Sequence, residues 1–241
     1  MEGQIREDGI MNALSWILIA LWFRVFILEP FYIPSGSNNP TLLAGDYIFV
    51  TKFAYGYSRN SLPFSLSLFE DRIFAKLPEH GDVVAFKLPS DNRTDYVKRI
   101  VGLPGDQLQV REGILYINGE PAERLRIESF RDDDGTSDGE LPRYRETLPS
   151  GRSFTVLDIV ARGALDNTPV YEVPEDHVFA IGDNRDNSLD SRVPNVGFIP
   201  VENLIGRADV IFFSVNGRAR FWQPWTWSPG VRWKRVGSRI H

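Results

Sequence analysis

The longest apolar stretch runs from Ile10 to Leu28, broken by Asn12, Ser15 and Arg24 and carrying Trp16 and Trp22. A helix needs about 20 mostly apolar residues to cross a bilayer, and this run is just long enough. Its flanks argue against a cleavable leader. The apolar core is long, Glu29-Pro30-Phe31-Tyr32 stands where small residues would mark a cut, and the preceding Glu2, Arg6, Glu7 and Asp8 are not a basic cluster. The pattern predicts a retained transmembrane anchor, with a buried first helix as the alternative. Charge alone does not orient it, and Arg24 is placed to snorkel toward one interface.

Beyond the anchor the period shortens and β-forming residues dominate. Strands are predicted at Asp46 to Phe53, Val83 to Leu88 and Tyr96 to Val101, with a hairpin of Gln107 to Val110 and Ile114 to Ile117 around Arg111-Glu112-Gly113. Asn118-Gly119 adds a turn signal. Leu62 to Phe69, apolar residues alternating with Ser or Pro, fits an edge strand or a loop touching the membrane surface, and the loop is the preferred reading. Later strands are expected at His177 to Ile181 and Gly206 to Val215. Between them, Glu120 to Pro174 is rich in Gly, Pro and acids, and only Phe154 to Val160 has strand character. It reads as an inserted lobe with a solvated acidic loop around Asp132, Asp133 and Asp134. The tail mixes Trp222, Trp225, Trp227 and Trp233 with arginines, which suits a lipid interface or the cap of a core.

Composition narrows the chemistry. The 241 residues carry a net charge of −5, which gives no footprint for nucleic acid. Cysteine is absent, so disulfides, thiolate metal sites and a cysteine nucleophile are excluded. A hydrolase would then need another nucleophile, and Pro34-Ser35-Gly36-Ser37-Asn38-Asn39-Pro40-Thr41 presents two serines on a tight turn after the anchor. The three histidines, His80, His177 and His241, sit in no motif for a Ser-His-Asp triad. A neutral lysine is the other base for serine, and burial lowers a lysine pKa by disfavouring the charged form. Lys98 lies in an apolar strand beside an exposed-type Arg99, and alternation puts Tyr96, Lys98 and Ile100 on one face. If that face is inward Lys98 is desolvated; if outward, it is solvated. The stretch Asp183 to Arg192 lacks the glycine and glutamate of a calcium loop, so it reads as a polar loop whose Ser188 could hold a lysine amine.

Three stretches together resemble the bacterial type I signal peptidases. Ile33-Pro34-Ser35-Gly36-Ser37, with Pro40-Thr41-Leu42 and Gly45-Asp46, is similar to that family's nucleophile box. Asp95-Tyr96-Val97-Lys98-Arg99, then Gly102-Leu103-Pro104-Gly105-Asp106, resembles its lysine box. Gly182-Asp183-Asn184-Arg185-Asp186-Asn187-Ser188, with Asp190-Ser191-Arg192, resembles its third box. They occur in the family's order after an anchor. The resemblance implies a mostly β fold: one N-terminal transmembrane helix, then a catalytic domain of coiled antiparallel β-sheets with a smaller inserted β lobe. The expected division is an N-terminal segment 1–29 with the anchor at about 10–28, a catalytic domain of 30–119 and 175–241, and the lobe 120–174.

The resemblance also implies roles. Ser37 is the nucleophile and Lys98 the general base. The Ser35 hydroxyl and the Ser37 N–H form the oxyanion hole, and Ser188 orients the lysine. Asp190 with Arg192, and Asp183 and Asn187, support the site. Ile33, Pro34, Tyr96 and Val97 line shallow pockets for small residues. No cofactor or metal is implied. The partners are signal-peptide-bearing preproteins and the phospholipid membrane, with the catalytic domain on the outer, periplasmic side of the bacterial cytoplasmic (inner) membrane. One position departs from the family: Asn38 stands where methionine is usual. Either it rewets the site and keeps Lys98 charged, or it turns outward. Three rivals follow. One is a catalytically impaired homologue that binds exported proteins at the membrane. Another is a self-cleaving Ser/Lys repressor-type protease, which would want a DNA-binding domain where the anchor stands. The third, a β-lactamase-like acylase, would need lysine where Pro40 is.

Overall fold

The computed structural model describes residues 26–61, 72–131, 139–216 and 223–241, together with Asn12, Ser15, Trp16 and Ile19. In chain order the strands are β1 (Leu28–Tyr32), β2 (Asp46–Thr51), β3 (Val83–Lys87), β4 (Asp95–Gly102), β5 (Gln107–Arg111), β6 (Ile114–Ile117) and β7 (Glu120–Pro121). They continue with β8 (Glu123–Phe130), β9 (Leu141–Thr147), β10 (Ser153–Leu157), β11 (Tyr171–Glu172), β12 (His177–Ile181), β13 (Ile199–Pro200) and β14 (Leu204–Ser214). Asn12, Ser15, Trp16, Ile19 and Phe26 are helical, and elsewhere among the described residues helix is confined to short turns.

The main sheet has the order β1-β2-β14-β3-β4-β12-β13, every pair antiparallel. Its strands form where β-branched and aromatic residues can pack on both faces. In β2, Ile48 and Val50 are fully buried while Tyr47 and Phe49 are half-covered, the alternation a pleated strand imposes. β4 is different. Val97 packs with Ile48, Val50 and Val83, Ile100 with Val84 and Phe86, and Val101 with Leu108, Val156 and Phe179. Both of its faces are covered by core. Burying each such aliphatic side chain is worth about 1.5–3 kcal/mol.

Two smaller sheets complete the fold. One has the order β11-β5-β6-β7, and its β5–β6 hairpin is the predicted one. The expected domain limits at 119/120 and 174/175 cut through this sheet, because β7 and β11 lie on the lobe side of them. The other sheet, β10-β9-β8, corrects the sequence reading, which expected one strand in this region. β8 is an exposed edge strand and both β8 and β9 are heavily charged, which hid their strand character. Their cross-strand pairs include Arg124 opposite Glu146 and Arg126 opposite Tyr144.

Most of the expected anchor lies outside the described residues, as do Leu62 to Phe69 and the aspartates 132–134. At its end the run behaves otherwise than expected. Leu28 opens β1 opposite Thr51, and the Lys52 N–H donates to the Ile27 carbonyl at 3.1 Å. Sheet pairing thus begins before the apolar run ends. Among the described residues no helix is long and apolar enough to cross a membrane. In the tail, Trp225 and Trp233 are exposed, whereas Trp227 packs on Phe213.

Candidate active site

The serine segment leaves β1, whose direction is fixed by the Ile33 N–H donating to the Asp46 carbonyl at 2.9 Å. It turns tightly, with the Asn39 N–H on the Gly36 carbonyl and the Leu42 N–H on the Asn38 carbonyl. The third stretch grips it from the far side. The Asn184 N–H donates to the Ser37 carbonyl at 3.1 Å, and Asn184 Nδ2 to the Gly36 carbonyl at 3.2 Å. Gly182 is required there: a Cβ on it would lie 2.2 Å from Ser188 Oγ and 2.5 Å from the Ser37 carbonyl oxygen.

β4 delivers Lys98 to the same place. Its Nζ lies 2.5 Å from Ser37 Oγ, a hydrogen-bonded pair from stretches far apart in sequence. Lys98 is 3% exposed, and burial pulls its pKa down to about 8, against the upward pull of Asp190 and Asp183 and with help from Arg192. Among the described residues no carboxylate forms an ion pair with it. Ser35 Oγ sits at the exposed mouth, 3.4 Å from Ser37 Oγ.

These groups open onto one cleft of about 640 Å³, lined by Ile33, Pro34, Ser35, Ser37, Asn38, Tyr96, Val97, Lys98, Asn187 and Ser188, among others. All the residues expected to bind substrate therefore reach it. Ser188 is buried, yet its hydroxyl has no hydrogen bond to Lys98 and lies against Gly182. Asp190 and Arg192 do pair: Arg192 Nε and Nη2 donate to Asp190 at 2.9 and 2.8 Å. Burial alone would raise the Asp190 pKa, but the Arg192 guanidinium and the Gly182 N–H hold it below the usual carboxylate range.

Arg99 settles what alternation left open. Exposed by residue type, it is 1% exposed in the structure. Its guanidinium donates to both Asp183 oxygens at 2.7 Å, to the Gly81 carbonyl at 2.7 Å, to Thr41 Oγ1 at 3.3 Å and to the His241 carbonyl at 3.0 Å. Asp183 thus supports Arg99. Asn38 does not turn outward. It is 4% exposed, and its Nδ2 donates to the Val97 carbonyl at 2.7 Å. The tail contributes where no motif pointed: Arg235 donates to Asp46 and, at 2.8 Å, to the Thr41 carbonyl.

The histidines are engaged elsewhere, His80 with Asp106 at 2.7 Å and His177 with the Glu175 carbonyl. The β8–β10 sheet braces the third stretch. The Leu157 N–H donates to the Asp183 carbonyl, and Arg185 reaches to this sheet to pair with the fully buried Glu146, which Arg124 also holds. Near the rim, oxygens of Asp158, Asp166 and Asp186 lie within 4.8 Å of one another. Arg124 and the N–H groups of Ile159, Val160 and Gly163 already serve them.

A model of the family "Signal peptidase, peptidase S26" matches residues 7–213. The chain belongs to the S26 signal peptidase family. Signal peptidase I of Rickettsia typhi is 45% identical over 208 residues, which cover 83% of this chain and 77% of that protein. Signal peptidase I of Rickettsia akari is 44% identical over the same length and shares. Among solved structures, a signal peptidase I from Enterococcus faecalis shares 28% identity over 55% of this chain and 97% of its own, with a TM-score of 0.32. As a member of this family the chain is a hydrolase of peptide bonds, a signal peptidase I that cleaves signal peptides.

Proposed function

We propose that this signal peptidase works through a Ser37/Lys98 dyad and cuts exported preproteins after small residues. The observation that carries the reading is the 2.5 Å Lys98 Nζ–Ser37 Oγ pair, with the lysine buried and its pKa near 8. Neutral Lys98 takes the Ser37 proton as Oγ bonds to the scissile carbonyl carbon. The carbonyl π pair moves onto oxygen, where the Ser37 N–H and the Ser35 hydroxyl donate to it. Collapse expels the new amine, which takes the proton from the Lys98 ammonium. Water then attacks the acyl ester, with Lys98 again accepting a proton, and Ser37 is released.

The substrate lies extended along the cleft. β12 pairs β4 from Arg99 onward, so the Asp95 to Lys98 edge opposite β3 has no strand partner among the described residues. A peptide adds to such an edge by main-chain hydrogen bonds. Ile33 and Val97 leave room beside it for a small side chain. Ser188 orients the Lys98 amine once the ammonium forms, and the Asp190–Arg192 pair with Asn187 holds its loop. The apolar run from Ile10 up to the start of β1 anchors the chain in a bacterial cytoplasmic membrane, with the catalytic domain on the outer side and exposed Trp225 and Trp233 toward lipid. Cleavage of a model preprotein in detergent by wild type, Ser37→Ala and Lys98→Ala tests this. Both variants are expected to be inactive and folded, and substantial cutting by either would remove the dyad.

A further inference from the structure

We propose that Asn38 is a positioning residue: its amide fastens the nucleophile segment to the strand that carries Lys98 and so sets the geometry of Ser37 against its base. This rests on Ser37 and Lys98 being the reacting pair. Asn38 follows Ser37 and Val97 precedes Lys98, so the Asn38 Nδ2–Val97 carbonyl bond of 2.7 Å runs beside the Lys98–Ser37 bond of 2.5 Å. One link fixes a distance; two adjacent links also fix an angle. The Val97 carbonyl lies on the stretch of β4 that β12 leaves unpaired, so the amide supplies what a neighbouring strand does not.

The other half of the side chain argues that the residue serves something besides stability. Asn38 Oδ1 is buried with no hydrogen-bond partner, and an unpaired buried acceptor destabilises a fold. An apolar side chain of similar length would remove that penalty and lose the tie. Stability and catalysis should therefore move apart when Asn38 is replaced.

The test is kcat, KM and Tm of the full chain in detergent, from about pH 6 to pH 10. Asn38→Leu, nearly isosteric but without the amide, is expected to keep or raise Tm, to keep KM within about twofold, and to lower kcat by about 10- to 100-fold, the cost of slight misplacement at a reacting centre. Asn38→Asp cannot donate to Val97 and sets a carboxylate near Lys98, which already faces Asp190, Asp183 and Arg192. It should lower kcat and move the alkaline rise in rate to higher pH. Wild-type kcat in Asn38→Leu overturns the proposal. Should that variant not fold, Asn38→Asp decides: an unchanged kcat and pH profile overturns it equally. Activity in Lys98→Ala would instead remove the dyad itself, a separate result.

Discussion

The pH dependence of this enzyme can be worked from one side chain. On the proposed mechanism Lys98 acts only when neutral, and burial brings its pKa to about 8 from the ordinary value near 10.4. At pH 7 the neutral fraction is then about 9%, and at pH 9 about 90%, so kcat/KM should rise about tenfold across that interval and level off above it. An unshifted lysine would give about a hundredfold rise over the same interval and no plateau below pH 10. The assay is initial-rate cleavage of a model preprotein in buffers of constant ionic strength. The same shift has a consequence for stability. Between about pH 8 and pH 10.4 the unfolded chain binds a proton at this lysine that the folded chain does not, so stability rises with pH through that window. Below it the full penalty of about 3 kcal/mol is present. Lys98→Met should therefore be more stable than wild type below pH 8, and the gap should narrow toward pH 10. A rate that climbs without a plateau, together with a stability gap that ignores pH, would refute the desolvated-lysine argument.

Other perturbations follow from the same geometry. Gly182→Ala drives a Cβ to 2.5 Å from the Ser37 carbonyl, and overpacking of this kind costs about 1–3 kcal/mol. Its kcat should fall at least about tenfold in the cleavage assay, and a normal kcat would show that the two loops can separate freely. Ser35→Ala should lower kcat by about 10²–10³ with little change in KM if its hydroxyl serves the oxyanion; equal losses in binding would assign Ser35 to the substrate instead. Glu146→Ala leaves Arg124 and Arg185 with a buried partner missing, which should cost about 3–5 kcal/mol in urea unfolding. The Glu146 pKa is held low by these arginines against the upward pull of burial. Its stabilisation is thus present at neutral pH and is lost as pH falls through that lowered value.

How much of this was legible in the sequence depended on whether a residue's role was local. Strands β2 to β6, β12 and β14 follow from β-branched runs and turn residues, because those signals act within a few positions. β8 and β9 escaped because their stabilisation is between strands: Arg124 and Arg126 are poor strand formers until Glu146 and Tyr144 stand opposite them. The site shows the same division. Serine and lysine could be found because their spacing and surroundings form motifs, but the Asp190–Arg192 pair was the one support whose partners lie close in sequence. Alternation failed at Lys98 and Arg99 for a physical reason. It separates inside from outside on a strand with one wet face, and β4 has core against both. Consecutive residues are then both buried, and each needs its own solution. Lys98 meets burial with a pKa lowered to about 8, which suits it to the proposed role of base. Arg99 instead gathers Asp183, Gly81, Thr41 and His241 around its guanidinium as hydrogen-bond acceptors. The proposed base and its brace are thus neighbours on one strand, distinguished by their hydrogen-bond partners, and no pattern of apolar and polar positions could have separated them.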